Sequence, residues 1–317
     1  MVIKANKMDV WLGNLQQNQF SGIKNVNISY GFMQQEQPSP AVILVNGRIE
    51  SYLKYHEVAN EFYSLGYSVY MLDHRGQGLS QRMLSNPHKG HVEEFDHYVA
   101  DLATFIETIV QPNKHLQQIL LGHSMGGAIC TRYLQTRPHS IDKVILASPM
   151  HGICLPAPQW LILCVTQTLE GLSRLFNAES KYVLGGSGYD DAPFAENELT
   201  QSQARYSQFR QLYQQQPSIQ LGSPTNAWLI QAIKASGQCV RQASMIEIPT
   251  LLLQAGAETI VDNQAQDYFA KNMLTKWLKK TVIENARHEV LFEIEEYREQ
   301  AWQAIREFIA KEDRQAQ

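Results

Sequence analysis

Leu121-Gly122-His123-Ser124-Met125-Gly126-Gly127 is the stretch on which the reading of this chain turns. A serine sits between glycines, directly after the apolar run Ile119 to Leu121 and directly before a helical pattern. This predicts a strand turning sharply into a helix, a G-x-S-x-G elbow that exposes the serine Oγ. The turn crowds the backbone, so Gly126, Gly127 and Ala128 are needed to let the helix lie close to the sheet. The Met125 N–H is then aimed at an oxyanion developing beside Ser124. The motif alone is short enough to recur by chance, so its meaning depends on the flanking segments.

Working outward, the flanks alternate. Asn25 to Met33 carries strand-like residues, and Ala41 to Val45 is a continuous apolar run of the kind a buried parallel strand needs. Tyr52, Tyr55, Val58, Ala59 and Phe62 recur at helical spacing until Gly66. Ser68 to Leu72 reads as a strand, Phe95 to Ile109 as an amphipathic helix, and Gln118 to Leu121 and Val144 to Ala147 as further strands. This β-α-β rhythm predicts a mostly parallel, doubly wound α/β sheet with helices on both faces. After Pro149 the rhythm stops, and residues 150–245 show proline clusters, a Gly-rich turn and helical patterns. The rhythm resumes with strand Thr250 to Gln254, helix Gln264 to Met273, strand Lys280 to Ile283 and helix Tyr297 to Ile309. The expected organisation is therefore a core of residues 1–149 and 246–317 with an inserted helical cap over 150–245.

Composition narrows the classes. With 317 residues, 44% hydrophobic and 18% charged, the chain is globular rather than disordered. A net charge of -4 argues against nucleic acid as a partner. Four scattered cysteines without a C-x-x-C pair argue against a metal site or a disulfide framework, and fit a reducing compartment. The N-terminal residues lack an apolar h-region, so no secretion signal is expected. The apolar run Trp160 to Val165 is too short to span a bilayer. Trp160 to Val165 reads as cap core, with the alternative that Leu155, Pro156, Trp160 and Leu161 form an apolar lip that touches lipid.

A nucleophilic serine needs a base, an acid to orient that base, and two oxyanion donors. His288 follows the last predicted strand, where doubly wound sheets place their chemistry, and is the candidate base. The acid comes from Ala255 to Asp262: Glu258 lies nearer the strand end, whereas Asp262 could equally cap the next helix. The second oxyanion donor is the Arg48 N–H in Asn46-Gly47-Arg48, after the strand ending at Val45; the Arg48 side chain itself reads as a surface group. Asp73, His74 and Arg75 read as loop-stabilising, His123 as packing beside the elbow, and Cys130 as core. No cofactor and no metal is implied.

These residues carry a family likeness. Val45 to Ser51, Leu72 to Ser80, Gly122 to Gly127 and His288 to Glu293 resemble the serine aminopeptidase-like (monoacylglycerol lipase) branch of the α/β-hydrolases. Gly47 to Tyr52, Pro87 to Val92, Pro193 to Asn197, Leu199-Thr200, Leu251 to Ala255 and Val261 to Asn263 resemble, more closely, its bacterial lysophospholipases of the L-two type. The resemblance runs over nearly the whole chain. It implies an α/β-hydrolase fold and a hydrolase that removes the remaining acyl chain of a lysophospholipid, with acyl transfer to phosphatidylglycerol as a side activity. It implies Ser124, His288 and Glu258 as catalytic residues and the Met125 and Arg48 amides as the oxyanion hole. It also implies a cytoplasmic location, with a peripheral place on the inner face of the inner membrane. Asn46 departs from the family pattern, which has histidine before the oxyanion glycine. On this reading Trp228 is a candidate wall for the acyl chain. Arg205 and Lys181 are candidates for the phosphate, or else solvated cap charges. Rival readings are a monoacylglycerol lipase or general carboxylesterase with the same triad, and a non-catalytic ligand-binding scaffold.

Overall fold

The structure is a computed structural model that describes Trp11 and residues 13–310. The expectations for the extreme N-terminus and for the polar residues 311–317 lie outside the described residues. One eight-stranded sheet organises the chain, in the order β1-β2-β4-β3-β5-β6-β7-β8. Its strands are β1 (Gln16–Ser21), β2 (Asn27–Met33), β3 (Ala41–Val45), β4 (Ser68–Leu72), β5 (Gln118–His123), β6 (Lys143–Ala147), β7 (Thr250–Ala255) and β8 (Leu278–Ile283). From β4 to β8 every pairing is parallel, while β1–β2 and β2–β4 are antiparallel. This is an α/β-hydrolase fold with a mostly parallel sheet.

Strands β3, β4, β5, β6 and β7 are buried along their whole length. Burial on both faces is why they read as unbroken apolar runs rather than alternating ones. The helices that follow cover the two faces: α1 (His56–Ser64), α2 (Asp96–Phe105), α3 (Met125–Thr136), then α7 (Asn263–Asn272) and α8 (Glu295–Ile309). One apolar layer joins Phe62, Trp302, Ile305 and Leu121; the other joins Ile43, Phe105, Ile129 and Leu146. Between β6 and β7 the described chain forms no strand of the sheet. It forms α4 (Gln159–Leu175), α5 (Gln203–Gln215) and α6 (Asn226–Arg241), with 3₁₀ turns.

Two local differences from the sequence reading have plain causes. Strand β1 is nearly all polar and exposed, an edge strand paired only to β2, so it lacks the apolar pattern that marks a strand. The first turn of the helix expected from Tyr52 is 3₁₀ over Tyr52–Tyr55 before α1 begins.

The elbow depends on one close approach. A Cβ at Gly126 would stand 2.0 Å from the Val45 carbonyl oxygen and 2.5 Å from that of Asn46. Both are backbone atoms that cannot rotate away, so α3 sits against β3 only because position 126 has no side chain. Gly126→Ala is therefore expected to cost at least ~1–3 kcal/mol. A urea midpoint equal to that of the wild type would show that the elbow has slack.

Candidate functional site

Strand β5 ends at His123 and α3 begins at Met125, leaving Ser124 alone at the corner with φ 52° and ψ -119°. Positive φ is unusual for a residue with a Cβ, and such strain clusters at functional sites. Here it turns the Ser124 Oγ toward the loop after β8. His288 Nε2 lies 2.9 Å from that Oγ, and His288 Nδ1 lies 2.8 Å from Glu258 Oε2. The tautomer that satisfies both contacts has Nδ1–H donating to Glu258 and Nε2 accepting from the serine hydroxyl. Glu258 is fixed by N–H donations to Oε1 from Thr259, Ile260 and Val261. Burial pushes its carboxyl up, but His288 and those N–H groups more than offset this and hold it below the usual carboxylate range. Asp262 instead caps α7, its Oδ1 accepting the Gln264 N–H at 2.8 Å.

The Met125 N–H is the first of α3 and so has no acceptor within its helix. The Arg48 N–H donates to no acceptor among the described residues. Met125 follows Ser124 directly, and Gly47, the residue before Arg48, comes so close that a Cβ there would stand 3.2 Å from the Ser124 Cβ. The helix N-terminus adds its dipole at the same point.

A buried charged cluster, not foreseen from the sequence, fixes the Gly47 turn. Glu50 Oε2 accepts from the Gly47 N–H at 2.5 Å and from the Tyr55 hydroxyl at 2.6 Å, and lies 3.2 Å from His123 Nδ1. Lys54 Nζ donates to Glu50 Oε1 at 2.7 Å and to Glu289 Oε1 at 2.5 Å. Burial opposes all three charges, yet mutual attraction wins: Glu50 is held well below its ordinary value, while Lys54 and His123 are held above theirs. The Gly47 carbonyl is tied as well, accepting from Gln77 Nε2 at 2.7 Å. The available signal was Glu50 and Lys54, charges four apart within an aromatic, apolar stretch.

The Asp73 loop braces the turn from below. Asp73 accepts from Asn46 Nδ2, the Ser51 hydroxyl, and the Tyr52 and Leu79 N–H groups. Asn46 thus holds a defined place, and its carbonyl takes the hydrogen bond of His74 Nε2 at 3.0 Å. Burial pushes His74 down to about 4, so it stays neutral in the folded protein. Unfolded, it takes a proton near 6.5. Its contribution to stability is present above that value and is lost as pH falls from about 6.5 through about 4, roughly 3 kcal/mol in all. The expected outcome is a chevron or urea series whose free energy declines over that window, with a shallower decline in His74→Gln.

The site opens into a cavity of about 480 Å³ lined by apolar groups including Met150, Ile153, Leu199, Leu221, Trp228 and Val261. Trp228, the expected wall, is thus on it. Arg205 and Lys181 are not among its lining residues. Arg205 is consumed by ion pairs with Glu57 at 2.8 Å and Glu295 at 2.8 Å, and Lys181 is exposed on the surface. The arginines on the cavity wall are Arg48 and Arg210 instead, beside Glu50, Asp190 and Glu289.

A mostly parallel sheet with a serine elbow after β5 and its partners in the loops after β3, β7 and β8 defines the class, an α/β-hydrolase. The model of the serine aminopeptidase, S33, family matches residues 36–295, and the chain belongs to that family. It is 37% identical over 296 residues to lysophospholipase L2 of Escherichia coli, covering 92% of this chain and 86% of that protein. It is 39% identical over 293 residues to the probable lysophospholipase L2 of Haemophilus influenzae, covering 91% and 90%. Among solved structures, a soluble variant of monoglyceride lipase from Saccharomyces cerevisiae superposes with a TM-score of 0.69 at 20% identity, covering 93% of this chain and 95% of that one, a likeness of fold.

Proposed function

We propose that this chain is a lysophospholipase: a serine hydrolase that releases the acyl chain of a lysophospholipid as fatty acid and leaves a glycerophosphodiester. The observation that carries the chemistry is the continuous relay Ser124–His288–Glu258, at 2.9 and 2.8 Å. The likeness to two lysophospholipases L2 over more than nine-tenths of this chain supports the substrate.

The steps follow from the geometry. His288 Nε2 takes the Ser124 proton as Oγ attacks the ester carbonyl. The Arg48 and Met125 N–H groups bind the oxyanion, each worth about 3 kcal/mol of transition-state stabilisation. The C–O bond to glycerol breaks, His288 returns its proton to the departing glycerol oxygen, and Ser124 is left acylated. Water, deprotonated by His288, then attacks the acyl-enzyme, and the fatty acid leaves as Ser124 regains its proton. Glu258 stays ionised throughout and stabilises the imidazolium.

Residues 150–245 act as a cap in this reading, with Met150, Leu221 and Trp228 facing the acyl chain. No helix among the described residues is long and apolar enough to cross a membrane. Access to lipid would then come from the exposed face of α4, where Trp160 and Leu175 stand more than 70% exposed and Leu161 and Leu172 40% and 47%. Mass spectrometry of the products tests the bond cleaved. Lysophosphatidylethanolamine is expected to yield fatty acid and glycerophosphoethanolamine in equal amounts; monoacylglycerol as a product would place the cleavage at the phosphate and refute the reading.

A further inference from the structure

The Arg48 side chain is the unusual charge of the site. Three buried cations meet carboxylates: Arg75 pairs with Asp101 at 2.7 Å, Lys54 with Glu50 and Glu289, and Arg298 with Glu61 at 2.7 Å. Arg48 has no carboxylate partner among the described residues. Its Nη2 donates to the Gly222 carbonyl at 2.7 Å, and its guanidinium carbon lies 5.3 Å from the centre of the Trp228 ring. Its Nε is buried without a partner. An unneutralised guanidinium partly withdrawn from water carries a desolvation cost, and burial pushes it down to about 10. A group of this kind is held in place yet unsatisfied, on the wall of the cavity that contains Ser124.

A second buried nitrogen without a partner lines the same cavity, His123 Nε2, whose ring centre is 5.0 Å from that of His288. Its Nδ1 is occupied by Glu50. The other cavity arginine, Arg210, is taken up by the Asp190 carbonyl and the Tyr189 and Tyr206 hydroxyls. Glu50, Asp190 and Glu289 also line the cavity, but Glu50 and Glu289 are engaged by Lys54, and none of the three forms an ion pair with Arg48, whose guanidinium is the cavity cation without a carboxylate partner among the described residues.

We infer that the Arg48 guanidinium, clamped between Gly222 and Trp228, recognises the phosphodiester of the substrate and thereby selects lysophospholipid over neutral monoacylglycerol. This rests on the lysophospholipase reading above. Arg48 then serves twice, its amide on the oxyanion and its side chain on the phosphate one glycerol away. A planar guanidinium suits a phosphodiester because it presents paired donors in a fixed fork. Arg48 is a specificity residue, and its signature is a change in preference rather than in overall rate.

The test compares wild type and Arg48→Gln on lysophosphatidylethanolamine and on a monoacylglycerol of the same chain. Gln keeps the backbone N–H, and any shared effect on the oxyanion loop cancels in the ratio of the two kcat/KM values. A hydrogen bond to a charged group predicts that this ratio falls about 10- to 150-fold, chiefly through KM, with Arg48→Lys in between. Binding of a non-hydrolysable ether analogue of the lysophospholipid to Ser124→Ala and to Ser124→Ala/Arg48→Gln should show the same loss without chemistry. An unchanged ratio, in a wild type that does prefer lysophospholipid, would overturn the inference and leave Arg48 as a staple for the Gly222 loop. A wild type that prefers monoacylglycerol would overturn this inference and the lysophospholipase reading together. Inhibition of monoacylglycerol hydrolysis by low-millimolar inorganic phosphate, lost in Arg48→Gln with the lipid ratio unchanged, would overturn it in favour of a free-anion site.

Discussion

Ser124→Ala is expected to lower kcat for ester hydrolysis by about 10⁴–10⁶-fold, the scale seen when the nucleophile of such a relay is removed. The loss belongs to the chemical step: without Oγ no acyl-enzyme forms, and His288 has no hydroxyl to deprotonate at 2.9 Å. The cavity and the two oxyanion N–H groups remain, so lipid still binds and a residual rate above that of water persists. The strained corner should not collapse, because alanine places the same Cβ at φ 52° that serine does. Rapid-quench measurement of fatty-acid release checks this, and a fluorophosphonate probe should label Ser124 in the wild type and nothing in the variant. Retention of more than a hundredth of wild-type kcat would remove Ser124 from the mechanism.

The second large effect is expected at Glu50, a positioning residue. Glu50→Ala takes one of two carboxylates from buried Lys54 and leaves the Gly47 N–H and the Tyr55 hydroxyl without their acceptor. Breaking one side of a buried ion pair costs about 3–5 kcal/mol. The catalytic effect travels through Gly47: once its N–H is released, the Arg48 amide loses its aim, with up to the ~10²–10³-fold fall in kcat of a missing oxyanion donor. Glu50→Gln separates the two roles. It restores an acceptor for Gly47 without the charge, so kcat should recover more than stability does. Urea unfolding and steady-state kinetics on both variants check this; a Glu50→Ala protein with a wild-type midpoint would show that the cluster carries no such energy.

Much of the fold was legible because the central strands are buried on both faces. Ala41 to Val45, Ser68 to Leu72 and Thr250 to Gln254 stand out as apolar blocks for that physical reason. Edge strand β1 has no such burial and left no trace in the pattern. Ser124 and His288 were legible because one needs glycines around it and the other must follow a late strand. Glu258 and Asp262 are separated only by geometry, one facing His288 and the other turned onto the start of α7. The Glu50–Lys54–Glu289 cluster joins residues 235 positions apart, a pairing that no local pattern reports. The same limit applies to the cationic groups of the cavity. Residue type alone marks Arg205 and Lys181 as phosphate candidates, and the fold turns one into an ion-pair knot and the other into solvent. Arg48, read as a surface group, is half-buried on the cavity wall because the chain after β6 folds back over it at Gly222.

The most direct test of the account is a side-by-side measurement of kcat/KM for fatty-acid release from lysophosphatidylethanolamine and from a monoacylglycerol of the same chain, with Ser124→Ala as control. Serine-dependent release is expected from both lipids, faster from the phospholipid. Faster serine-dependent release from the monoacylglycerol would contradict it, and would make this chain a neutral-lipid hydrolase.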